Sequence, residues 1–211
     1  RSGRRFVNEA DSYHDFCQAM VTRCREEGGE ICAYFIADHP TFRKYGLGYA
    51  KPAPVPYEGQ IKSGYLIRGA TLAELAVRIG ADPDELEKTV ERYNGPARKG
   101  EDPEFHKGST AYNLSLGDPE HGPNPCLAPV EKGPFYAVKL VVGDLGTFAG
   151  LRCDANARVL DGERRPIPGL YAAGNDAASI MGGNYPGGGI TLGPALTFGY
   201  IAARHMAGAN D

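Results

Sequence analysis

Gly169-Leu-Tyr-Ala-Ala-Gly-Asn175, followed a few residues later by Gly182-Gly-Asn-Tyr-Pro-Gly-Gly-Gly-Ile-Thr-Leu-Gly-Pro194, is the stretch that decides how this 211-residue chain reads. Leu170 to Ala173 is a short apolar run behind a Pro-Gly turn. That pattern predicts a buried parallel strand ending at Gly174, with Asn175 at the strand end. Residues 191–206 then read as a helix. Pro194 lies near the first turn, where a missing N–H costs least, and Gly208 marks the stop. A helix entered through glycines presents unpaired backbone N–H groups and the positive end of a macrodipole, roughly half an elementary charge. A phosphate or an anionic ring fits such a place, although a plain strand, loop and helix without a ligand would carry the same signals.

Composition bounds the rest. With 42% apolar and 9% aromatic residues, the chain can build a real core as one large or two modest domains. The net charge is −3 and no basic block occurs beyond Arg1 to Arg5, which argues against nucleic acid and anionic membranes and for a small-molecule partner. Five cysteines, Cys17, Cys24, Cys32, Cys126 and Cys153, form an odd set without a C-x-x-C. Free thiols in a reducing cytoplasm are expected, rather than a disulfide framework or a zinc site. No apolar stretch approaches the ~20 residues of a transmembrane helix. The opening Arg1-Ser-Gly-Arg-Arg-Phe-Val-Asn-Glu9 reads like the middle of a domain, so the chain is expected to be part of a longer protein.

Along the chain, residues 11–27 read as a helix closed by Gly28-Gly29, and residues 31–36 as a buried strand. Residues 46–65, with Pro52, Pro54 and Pro56, read as a loop. Thr71-Leu-Ala-Glu74 has the form of a capping box opening a helix through Ile79. Asp82-Pro-Asp-Glu85 repeats the start signal, so a helical hairpin broken at Gly80 follows. Residues 95–133 are rich in Gly, Pro and Asp and read as an extended surface loop. Residues 135–142 and 150–153 are predicted strands.

Taken in order, Gly143-Asp-Leu-Gly-Thr147, Ile167-Pro-Gly-Leu-Tyr-Ala-Ala-Gly-Asn175 and Tyr185-Pro-Gly-Gly-Gly-Ile-Thr-Leu-Gly-Pro-Ala-Leu-Thr-Phe-Gly199 resemble the carboxy-terminal part of FAD-dependent ketosteroid dehydrogenases. These belong to the fumarate reductase and succinate dehydrogenase flavoprotein superfamily. Gly3-Arg-Arg-Phe-Val-Asn-Glu9, Thr71-Leu-Ala-Glu-Leu-Ala76, Thr89-Val-Glu-Arg-Tyr-Asn94 and Pro134-Phe-Tyr-Ala137 extend the likeness over nearly the whole chain. The resemblance implies an α/β fold in which residues 1–140 are a portion of the substrate-binding cap domain, of α+β type. Residues 141–211 would complete a Rossmann-like FAD domain. The G-x-G-x-x-G fingerprint of that domain does not occur here, so the missing N-terminal FAD segment would be a partner of this fragment.

The resemblance also implies a site. Gly174, Asn175, Gly188, Ile190, Thr191, Leu192 and Gly193 would lie along the flavin, with the amides of Thr191, Leu192 and Gly193 facing its electron-rich edge. Tyr185 and the Gly189 amide occupy the positions that hold a substrate ketone. Polarising that ketone acidifies the neighbouring C–H bond. Tyr13, in Asn8-Glu-Ala-Asp-Ser-Tyr13, matches the tyrosine that removes the α proton, with Ser12 where a proline is expected. A phenol with an ordinary pKa near 10 needs depression or a relay to act so. The implied substrate is a hydrophobic, steroid-like ketone, and a separate electron acceptor is required.

A rival within the superfamily is a fumarate-type enoate reductase with Arg43 as its acid. Leu145-Gly146 replaces the histidine pair, however, and residues 182–189 contain no arginine. Arg43 is therefore expected to make a surface or domain contact. A non-catalytic ligand-binding or interaction domain is the alternative from another class. His14, His39, His106, His121 and His205 show no metal spacing, so no metal site is expected, and His205 reads as stabilising a helix end.

Overall fold

The computed structural model describes residues 2–209. Between Val142 and Gly143 the chain divides into two compact units. In the first, helix α1 (Tyr13–Glu26) begins where the Ser12 hydroxyl accepts the Asp15 amide at 3.2 Å. Ser12 has φ −58° and ψ 148°, the backbone that a proline holds. Serine at this position thus keeps the conformation and adds a cap. Strand β1 (Cys32–Ala37) follows, then α2 (His39–Tyr45), α3 (Glu58–Lys62), β2 (Ile67–Gly69), α4 (Leu72–Ile79), α5 (Pro83–Ala97), α6 (Ala111–Leu116) and β3 (Phe135–Val141).

The two start signals read from sequence are built as such. Thr71 Oγ1 accepts the Glu74 amide at 3.1 Å, and the Glu74 carboxylate reaches back to the Ala70 amide at 2.8 Å. Asp82 accepts the Glu85 amide at 3.0 Å. The same chemistry launches α2, which the sequence reading passed over: Asp38 accepts the Thr41 amide at 3.1 Å and Pro40 fills the first turn. The proline-rich segment 46–65 is irregular apart from α3 and an isolated Leu47–Ala50 bridge.

Residues 95–133 correct the expectation of an extended surface loop. Helix α5 runs on to Ala97, α6 forms, and Asp102, Asn113 and Leu127 are buried. Asp102 and Asn113 have partners that come from far along the chain, Arg5 and Asn8, which local composition cannot show.

The sheet of this unit has the order β1-β3-β2, antiparallel throughout, with Phe35 opposite Val138 and Ile67 opposite Ala137. As the central strand, β3 is buried on both faces, so its run Phe135-Tyr136-Ala137-Val138 is apolar without alternation. Period-two geometry sends Tyr136 and Val138 toward Phe42, Leu47 and Leu66 on one side. Phe135 and Ala137 face Leu75 and Ile79 on the other. Full burial of Phe42, Leu66 or Leu75 contributes about 1.5–3 kcal/mol each.

The second unit contains β4 (Arg158–Leu160), β5 (Pro166–Tyr171), a 3₁₀ turn (Gly174–Asp176) and α7 (Leu192–Met206). Within this chain Leu170 and Tyr171 end β5, whose one partner among the described strands, β4, is antiparallel rather than the expected parallel neighbour. Ile167 and Leu170 are exposed. The Asp161-Gly162 turn folds the chain directly back, and a two-stranded ribbon cannot cover both of its own faces. Residues 150–153 form only isolated bridges, Leu151 with Ala177 in parallel and Cys153 with Val159.

Candidate functional site

The second unit places its predicted residues in one continuous run. Asp154 organises the hairpin by accepting the amides of Asn156 and Arg158 and pairing with the Arg158 guanidinium at 2.6 Å. Beyond β5, the Leu151 amide donates to Asp176 O and the Ala178 amide to Leu151 O, both at 2.8 Å, which fixes the 3₁₀ turn carrying Gly174 and Asn175. Gly174 has φ +66°, and a Cβ there would stand 3.1 Å from that of Ala195, so the missing side chain lets this turn approach α7. At its other end α7 is tied to β5 by a 2.7 Å hydrogen bond between the Tyr171 hydroxyl and His205 Nδ1. His205 lies in the last turn, as expected, and also has this tertiary partner.

The start of α7 is open. Thr191 is its N-cap and makes no side-chain cap bond, and Pro194 has no N–H. The Gly193 amide donates to Gly189 O at 2.7 Å. That bond corrects the expected set of donors. The Gly193 amide is already paired within the chain, leaving Thr191 and Leu192 as the positions whose N–H groups precede the first i to i−4 bonds of the helix. A Cβ added at Gly187, Gly188, Gly189 or Gly193 would meet no atom within 4 Å. The backbone thus carries no side chain from Gly187 to Gly189, just before the helix. Gly189 has φ +96°, which disfavours any L side chain. Tyr185 lies one turn before it and is half-buried, and Ile190 follows it directly.

Tyr13 and Arg43 belong to the first unit. Tyr13 is the first residue of α1 and is half exposed. Arg43, in the last turn of α2, donates to Val55 O at 3.2 Å and lies 5.0 Å over the Tyr57 ring. Arg43 is thus engaged within its own unit. A cavity of about 1000 Å³ in the first unit is lined by Phe6, Phe16, Tyr34, Ile36, Tyr93 and Val130 among others, but by neither Tyr13 nor Arg43.

Three polar groupings in the first unit were not legible in sequence. Arg5 donates to Glu9 and to Asp102 at 2.8–2.9 Å, with its guanidinium between the rings of Tyr93 and Phe105. Asn113, fully buried, joins Asn8. The buried Tyr136 hydroxyl lies 3.0 Å from His39 Nδ1 and 3.1 Å from the Tyr57 hydroxyl, and burial, reinforced by Tyr57, pushes its phenol well above the usual range. Each links residues tens of positions apart. Among the described residues there is no cluster of three or more potential metal ligands, and no helix long and apolar enough to cross a membrane.

The chain is 53% identical over 207 residues to 4-oxocyclohex-2-ene-1-carboxylate 5-dehydrogenase of Sinomonas cyclohexanicum, covering 98% of this chain and 35% of that protein. It is 43% identical over 210 residues to 3-oxosteroid 1-dehydrogenase of Mycolicibacterium smegmatis, covering 98% and 37%. The crystal structure of 3-ketosteroid delta1-dehydrogenase from Sterolibacterium denitrificans, in complex with 1,4-androstadiene-3,17-dione, superposes with a TM-score of 0.91 at 42% identity, over 99% of this chain and 38% of that one. The chain thus spans little more than a third of the length of the relatives it matches. The model of the FAD binding domain matches residues 1–192, a span that includes the bare glycine run and the start of α7. On that match the chain belongs to the FAD binding domain family, whose cofactor is FAD.

Proposed function

We propose that the chain is part of an FAD-dependent dehydrogenase that introduces a C–C double bond beside the ketone of a ring substrate. Residues 1–140 belong to the substrate side in this reading, and residues 141–211 return to complete the flavin domain. The observation that carries it is the open start of α7, with a phenol at Tyr185 and a bare backbone from Gly187 to Gly189 immediately before it. Gly174, Asn175, Gly188 and Ile190 would line the flavin, Thr191 and Leu192 would offer N–H groups to its electron-rich edge, and Gly193 would leave room for it. Bound FAD would accept a hydride from the β carbon and pass the electrons to a separate acceptor.

Tyr185 O–H and Gly189 N–H hold the substrate ketone and draw negative charge onto its oxygen, which acidifies the α carbon. The Tyr13 oxygen takes the α proton. The electron pair of that C–H bond becomes the new C=C bond as the hydride departs, so the product is a conjugated enone. Arg43, already committed to Val55 O and Tyr57, has no part in this reading; the enoate reductase alternative would give it the acid role. Five free cysteines support a reducing, cytoplasmic setting.

The favoured substrates are steroid-like ketones, by likeness to the 3-oxosteroid enzymes. A smaller oxocyclohexene carboxylate is a second reading, favoured by the 53% identity to the Sinomonas protein. Turnover of the complete flavoprotein with an artificial electron acceptor, assayed on both substrate types, decides between them. Tyr185→Phe should reduce kcat by roughly 10²–10³ while flavin content stays constant, as for loss of one donor to a developing oxyanion. Full activity of that variant would remove Tyr185 from the ketone site. Activity on an unsaturated acid that disappears in Arg43→Ala would establish the reductase instead, and absence of both flavin and turnover would leave a binding domain.

A further inference from the structure

We infer that Asn113 is a positioning residue for Tyr13, gripping from α6 the turn that launches α1; this rests on the reading of Tyr13 as the group that takes the α proton. The Asn113 side chain is fully buried and uses its whole hydrogen-bonding capacity. Its Oδ1 accepts from Asn8 Nδ2 at 2.9 Å and from the Gly108 amide at 3.1 Å. Its Nδ2 donates to Ala10 O at 2.8 Å and to Asp11 Oδ1 at 3.1 Å. Three of these four partners, Asn8, Ala10 and Asp11, lie within the five residues before Tyr13.

The turn they hold is closed from inside as well. Asn8 Oδ1 accepts the Ala10 amide at 2.9 Å, and Asn8 O accepts the Asp11 amide at 3.2 Å. Ser12, also buried, then caps α1, and Tyr13 is the first helical residue. Tyr13 follows directly on the clasped turn, so the place where its backbone enters α1 is set by where that turn and its cap are held. Asn113 is itself anchored on both sides: its amide donates to Thr110 Oγ1 at 3.1 Å, and its carbonyl accepts from Cys126 Sγ at 3.1 Å. Asn113 and Asn8 thus clasp the turn at Ala10 and Asp11, and the chain runs from there through the buried cap residue Ser12 into Tyr13. A side chain that touches neither ketone nor flavin in the proposed site would set the proton acceptor within the small distance tolerance of the reaction.

Asn113→Asp is the discriminating variant. It keeps the acceptor for Asn8 and Gly108, removes the donor to Ala10, and sets a carboxylate against Asp11. Asp11→Ala, which deletes a single bond of the clasp, carries the test if the first variant does not fold. In the complete flavoprotein, kcat should fall roughly 10- to 100-fold, with KM and flavin content little changed. The kinetic isotope effect from deuterium on the α carbon should rise, because proton removal becomes slower. Amide hydrogen exchange should accelerate across residues 10–16 while α4 and α5 keep their protection. Combined with Tyr13→Phe, Asn113→Asp should add no further loss, since it acts through that phenol. Additive losses, or an unchanged isotope effect with falling flavin content, would overturn the positioning role and leave Asn113 a structural group. Wild-type turnover in Tyr13→Phe would overturn the base assignment, and this inference with it, whatever the exchange data show about the clasp.

Discussion

Replacing Arg5 with methionine removes the cation that neutralises two carboxylates inside the first unit. The Arg5 side chain is 11% exposed and that of Asp102 only 3%. Arg5 Nε and Nη2 donate to Glu9 at 2.8 Å, and Nη1 and Nη2 donate to Asp102 at 2.9 Å, so four charge-assisted bonds are lost together. The cation–π contacts with Tyr93 and Phe105 go with the guanidinium, while the methionine side chain keeps apolar packing against the two rings. Breaking a buried pair from one side costs about 3–5 kcal/mol, mostly the penalty of an unpaired buried charge. Lys107, 3.5 Å from Glu9, softens the loss and places the expectation at the lower end. At a slope of about 2 kcal/mol per molar urea, the unfolding midpoint should fall by ~1.5 M.

The dependence on pH separates charge from packing. Burial by itself raises both carboxyls and is the largest single influence, but the Arg5 hydrogen bonds together with the neighbouring charges and amides outweigh it. Lys107 and Arg5 charge assist at Glu9; Arg5 charge and the Lys107 and Phe105 amides assist at Asp102. Both therefore sit below their ordinary values of 4.5 and 3.8. A carboxyl depressed in the folded state stabilises it above the unfolded pKa, and that stability is lost as pH falls through the folded pKa. The gap between wild type and Arg5→Met, measured by urea titration under circular dichroism, should thus be full at pH 7 and narrow steadily below about pH 4. An equal gap at pH 7 and pH 3 would refute the electrostatic account and assign Arg5 a packing role.

Other consequences are local. Gly69→Ala would bring a Cβ to 2.5 Å from the Leu75 amide nitrogen, so overpacking between β2 and α4 should cost about 1–3 kcal/mol in the same titration; an unchanged midpoint would contradict that close approach. Thr71→Ala removes the cap of α4 and should cost ~1 kcal/mol, with no loss if solvent replaces the cap. Tyr171→Phe deletes the bond to His205 and should destabilise the second unit by about 0.5–1.5 kcal/mol, read as faster hydrogen exchange in the last turn of α7; unaltered exchange would show that the bond does not hold the helix.

What the sequence determined by itself was whatever lies within a few residues of its own cause. The caps at Thr71 and Asp82 and the helices they open depend on side chains reaching amides three positions on, so they could be read directly. The bare run from Gly187 to Gly189, its helix and Tyr185 were legible for the same reason, as was the family they resemble. Tertiary structure alone decided the rest. The direction of β5 follows from its pairing with β4, and an apolar run before Gly174 carries no sign of that direction. The Gly193 amide proved to be spent on Gly189 O, which only the path of the backbone could reveal. Asn113 meets Asn8 across 105 positions, and Arg5 meets Asp102 across 97. A polar residue paired at that distance reads in sequence like any surface residue, because burial and partner are properties of the fold and not of its neighbours along the chain.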